Sequence, residues 1–143
     1  MILKRASECF LYHSYMSFLI HSSLESGRWN TFTLAFQLAN VGSDFGRALR
    51  GKIVGDNARM WSALERCLEL LDLTIADPKH RKRLKELCRL REVIGDFLIG
   101  ENEYQSTGES LDRYFLEFTV EAQKERESLR ALVPAKTPSL PQE

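Results

Sequence analysis

Three histidines (His13, His21, His80), three cysteines and scattered carboxylates are the residues through which this chain could do acid–base, nucleophilic or metal chemistry. Each such chemistry demands a spacing. A di-iron centre in a helical bundle needs Glu-x-x-His on two helices, so that both ligands project inward one turn apart. No glutamate stands three residues before any histidine here. A helical magnesium pyrophosphohydrolase would pair Glu-x-x-Glu with a later Glu-x-x-Asp. Glu109 and Asp112 supply the second half, but no first half precedes them. At the start of a helix these two acids complement the dipole instead. An arginine four to six residues ahead of a histidine, the mark of small helical ribonucleases, is missing, and so is a glycine-rich phosphate loop. Cys9, Cys67 and Cys88 are odd in number and form no CxxC pair, which reads as reduced thiols in a cytoplasmic protein. The sequence offers no catalytic, cofactor-binding or metal-ligating set, and this argues against an enzyme.

Two features remain that chemistry must account for. The first is the run Lys79-His80-Arg81-Lys82-Arg83-Leu84-Lys85, followed by Arg89. Cations crowded into the first turns of a helix oppose its dipole, so nearby acids such as Asp77 and Glu86, or a polyanionic partner, must offset them. Lys79, Arg81, Lys82, Arg83 and Lys85 are the candidate anion- or nucleic-acid-binding residues, although no aromatic residue interrupts the run to stack on a base. The second is Arg91, whose wheel position falls among Leu84, Leu87, Ile94, Gly95 and Leu98. A guanidinium within an apolar arc must snorkel, find a carboxylate or line a cavity. If the helices run antiparallel, Glu65 and Glu117 lie at its level and are its candidate partners. A ligand-anion pocket there, walled by Trp61, Tyr104 and Tyr114, is the alternative.

The elements that would carry these residues are all helical. The chain has 143 residues, enough for one packed core, and its 20 basic and 20 acidic residues cancel, so no global field selects a polyanion. Helical periodicity runs from about Trp29 to Arg50 over a small-residue centre (Ala35, Ala39, Gly42, Gly46), which predicts a close helix crossing. Gly51 and Gly55 bracket a break. Asp56 is placed to cap a second helix to about Ala76, with Trp61, Leu64, Leu68, Leu71 and Ile75 on one face. Asp77-Pro78 starts a third helix to about Ile99, and Gly100 ends it. Ser106-Thr107-Gly108-Glu109 fits a capping box for a fourth, on which Leu111, Tyr114, Phe115, Phe118 and Ala122 share a face. Short connections between long helices predict an all-α, up-down antiparallel four-helix bundle over 28–132. Residues 1–27 form a leader or an extra N-terminal helix, too short in apolar length for a membrane span. Residues 133–143, with three prolines, form a disordered tail.

Leu38-Ala39-Asn40-Val41-Gly42, the run Ala63 to Thr74, Arg89-Leu90-Arg91-Glu92 and the loop Gly100 to Tyr104, with Ser110 and Tyr114-Phe115 beyond it, resemble a family of small bacterial all-helical proteins of unknown function. The resemblance covers about 28–118. It implies a helical fold, transfers no activity and no site residues, and makes the segment before Arg28 an extension.

Negative chemistry and wide apolar faces together predict a non-enzymatic helical bundle that binds macromolecules, through a protein partner or self-association into a homo-oligomer, without a cofactor and without a membrane. Apolar residues on several sides of the second helix and across the leader (Phe10, Tyr15, Phe18, Leu19) exceed what one bundle covers. A nucleic-acid-binding bundle using 79–85, and an enzyme or ligand binder around Arg91, are the alternatives.

Overall fold

A computed structural model describes residues 27–132. The leader assigned to 1–27, save Gly27, and the tail at 133–143 lie outside the described residues. Four helices make up the rest, and no strand occurs among the described residues: α1 (Leu34–Val54), α2 (Asn57–Ala76), α3 (Leu84–Ile99) and α4 (Gly108–Leu132). Short 3₁₀ turns at Trp29–Thr31 and Pro78–Arg83 precede α1 and α3. The all-α bundle is as the sequence predicts.

Local chemistry sets most boundaries. The Thr33 hydroxyl accepts from the Phe36 N–H and starts α1. Gly55, at φ +74°, ends it in the left-handed conformation that glycine adopts without strain. The break expected between Gly51 and Gly55 falls at its far end, at Gly55 and Asp56, because α1 continues to Val54. Gly51 is needed for a different reason. A Cβ there would stand 2.7 Å from the Met60 backbone nitrogen, so the end of α1 and the first turn of α2 touch backbone to backbone. Asp56 caps α2 by accepting from the Arg59 N–H at 2.9 Å, as its position predicts. The fourth helix is capped one residue later than expected. Thr107 and Ser110 exchange side-chain and backbone bonds at 3.1 and 3.2 Å, in place of Ser106 and Glu109.

Three contacts fix how α4 lies on α1. Leu49 meets Gly108, Gly42 meets Phe115, and Thr33 meets Glu125. Numbers that rise along one helix as they fall along the other mean the two run antiparallel. Asp44–Arg66 and Trp29–Thr74 give the same sense for α1 and α2. The core lies between α1, α2 and α3, around Leu38, Val41, Phe45, Leu64, Leu71, Leu87 and Ile94, with Leu111 and Phe115 of α4 closing it. On α2 the buried residues are Met60, Ala63, Leu64, Cys67, Glu69, Leu70, Leu71 and Thr74. That set is rotated from the predicted arc, and Trp61 is left exposed.

Candidate functional site

Arg91 is sheltered and paired, but with neither expected acid. Its Nε donates to Asp72 Oδ1 at 2.6 Å and its Nη2 to Asp72 Oδ2 at 3.1 Å, a two-pronged bridge from α3 to α2. Glu65 and Glu117 stand on exposed surface. The cause is the 3₁₀ turn at Pro78–Arg83, which leaves the helical path at His80 (φ −100°, ψ 16°). Counting those residues as helix carries Arg91 down to the level of Glu65. With α3 starting at Leu84, Arg91 lies only about two turns from the corner and faces Asp72.

The basic run is divided by the same turn. Lys79 lies at the surface, its side chain 48% exposed, and its ammonium donates to the carbonyl oxygens of Asn30 (2.5 Å) and Phe32 (2.8 Å) and approaches Asp77 Oδ2 at 3.4 Å. It ties down the segment that leads into α1. Arg83 reaches Glu86 at 3.5 Å across exposed surface. Arg81, Lys82 and Lys85 are exposed. All five candidate residues are exposed, Lys79 and Arg83 being engaged by neighbours, and the run belongs mostly to a 3₁₀ turn, so only its end bears the cost of the α3 dipole.

Behind Lys79 lies a polar network that the sequence did not reveal. Gln37, fully buried in α1, donates to the Trp29 carbonyl at 2.9 Å and to Asp77 Oδ2 at 3.1 Å, and its own carbonyl lies 2.7 Å from His80 Nε2. Trp29 donates its indole N–H to Thr74, which donates to the Leu70 carbonyl. Asp77 also accepts from the Lys79 N–H. Burial would raise the Asp77 pKa, but these bonds and the Lys79 and His80 charges outweigh it and hold the carboxyl below its usual range. Burial lowers the His80 pKa, with the Lys79 and Arg83 charges adding to it against the pull of Asp77. Each group here is satisfied by a neighbour, so the network locks a corner. Gln37 lies on the side of α1 away from Ala35, Ala39, Gly42 and Gly46, beside the buried Val41, Asp44 and Ala48, so the small-residue spacing gave no signal for it.

Cys67 is buried, its thiol directed at the Val41 carbonyl and its pKa pushed up by burial, so it is no nucleophile. No cluster of three or more metal-ligating side chains occurs among the described residues, and no helix there is long and apolar enough to cross a membrane.

What remains is the outer side of α1 and α4. This last helix, of 25 residues, buries only Leu111 and Phe115. Leu116 is 58% exposed, Val120 43%, Leu129 66% and Leu132 78%. Two adjoining stretches of surface form a groove between α1 and α4, joined at Ala39 and Thr119. One end is rimmed by Glu109, Asp112 and Arg113, the other by Arg126, Glu127 and Arg130. The sequence signalled only the inward face of α4. A comparison of the chain with protein-family models, with curated proteins and with solved structures finds no match.

Proposed function

We propose that this chain is a non-catalytic interaction module whose working surface is the groove between α1 and α4. The observation that supports this reading is Leu116, 58% exposed in the groove, with Val120, 43% exposed, one turn further along the same side of α4. Apolar side chains left in water along a helix face favour a partner that covers them, by about 25 cal/mol per Å² removed from water. The small residues Ala39, Gly42 and Ser43 keep the groove floor low enough for another helix to lie in it.

The test is a photo-reactive phenylalanine analogue placed at Val120 and, separately, at Lys85, with irradiation in cells. A protein adduct at Val120 and no nucleic-acid adduct at Lys85 is the expected result. The reading fails if Val120 yields no protein adduct. It yields to the nucleic-acid alternative if the chain binds polynucleotide with a steep salt dependence that charge removal at Lys82 and Lys85 abolishes.

A further inference from the structure

We propose that the occupant of this groove is a second copy of the chain, its α4 lying antiparallel to the first about a two-fold axis beside Thr119; this rests on the interaction reading and names its partner. The argument is the groove's charge pattern. Glu109, Asp112 and Arg113 leave one negative charge at the end near the start of α4, while Arg126, Glu127 and Arg130 leave one positive charge at the other. Thr119, shared by both stretches, sits midway. A groove of opposite ends about a neutral centre is complementary to itself when turned end for end.

A two-fold interface requires that if one residue meets another, the same contact recurs with the copies exchanged. Rotation about Thr119 satisfies this at each groove position. Asp112 meets Arg126 of the other copy, Glu109 comes alongside Arg130, and Leu116 reaches the small side chain of Ala122. Both Leu116 residues are thereby taken from water, one on either side of the axis. A parallel arrangement would set acid against acid and base against base, which disfavours it.

Charge reversal tests the pairing on the full chain by sedimentation. Wild type is expected to dimerise, and Asp112→Arg or Arg126→Asp alone to weaken the dimer about tenfold or more, because each places two like-charge contacts in the interface. The double variant D112R/R126D should recover most of the affinity. Mixing the two single variants should do so as well, since their heterodimer carries one native and one reversed pair. Both positions are exposed, and circular dichroism of each variant checks that its helices are intact. A wild-type chain that stays monomeric at about 200 µM overturns the proposal, and so does a dimer indifferent to these changes. Should the Val120 probe capture a different protein while the chain remains a monomer, the second copy is excluded and the interaction reading stands. If it captures none, both fall.

Discussion

Gly42 lies flat against Phe115: a methyl group on its α-carbon would stand 2.6 Å from the Phe115 Cβ and 2.7 Å from its Cγ. Those atoms sit at the root of the aromatic side chain and cannot swing aside. Four residues on, Gly46 shows the contrast, its nearest such neighbour being the flexible tip of Arg50 at 3.6 Å. Two glycines one turn apart thus have different reasons for being there, and α4 settles on α1 at the first alone.

Gly42→Ala is expected to destabilise the fold by about 1–2 kcal/mol, the overpacking cost exceeding the helix-propensity gain of roughly 1 kcal/mol. Gly46→Ala should stabilise it by about 0.5–1 kcal/mol through that same gain. Urea midpoints of the two variants, at equal slope, provide the measurement. Opposite signs are the required outcome; two stabilising changes would mean that α4 does not press on Gly42.

The sequence predicted a close crossing at this glycine pair, and it predicted four helices, because small-residue spacing and cap residues are local signals. Asp56, Gly55 and the Asp77-Pro78 corner act within a few residues and were legible for that reason. The partner of Arg91 was not. Its identity depends on how far a 3₁₀ turn carries the chain around a corner, which no periodicity reports. Gln37 was hidden for a related reason, since its partners Trp29, Asp77 and His80 come from other segments. The groove beside α4 escaped because an exposed leucine is common on folded proteins, and only its neighbours in space make it a groove.

Arg91 and Asp72 give a double-mutant test. Their side chains are 14% and 20% exposed, between the surface and buried limits. Arg91→Ala should cost about 2 kcal/mol, less than the 3–5 kcal/mol of a fully buried pair. Asp72→Ala should cost a similar amount, and the double variant distinctly less than the sum. Strict additivity would mean that the bridge contributes nothing and that Arg91 matters only through packing.

Asp77 carries more of the corner than its neighbours do. Asp77→Ala removes the acceptor for Lys79 N–H and for Gln37 together, and leaves the Gln37 amide buried with one partner fewer. The expected loss is about 2–3 kcal/mol. Asp77→Asn keeps an oxygen for the Lys79 N–H and should cost about 1 kcal/mol. Lys79→Met, which frees the carbonyls of Asn30 and Phe32 near the surface, should cost less than Asp77→Ala. Thermal unfolding orders the three, and a neutral Asp77→Ala would show that the corner holds without its network.

His80 makes stability depend on pH, with a sign fixed by its surroundings. Its pKa lies below the ordinary 6.5 because burial disfavours the charged ring. The unfolded chain, with the ordinary value, therefore binds more protons than the folded one at pH values just below 6.5. Stability rises with pH wherever the unfolded state holds the extra proton. The contribution of His80 is thus full above about pH 6.5 and is lost as the pH falls toward the folded value. Asp77 acts in the same direction at lower pH, its stabilisation present above its ordinary 3.8 and lost as pH falls through the folded pKa. Urea unfolding of wild type and His80→Gln between about pH 7.5 and about pH 5 isolates the first effect, because His13 and His21 are common to both chains. The wild type should lose stability over that window and the variant should lose less. A variant with the full wild-type slope would place the titration on another group and return His80 to a charged, solvent-facing state.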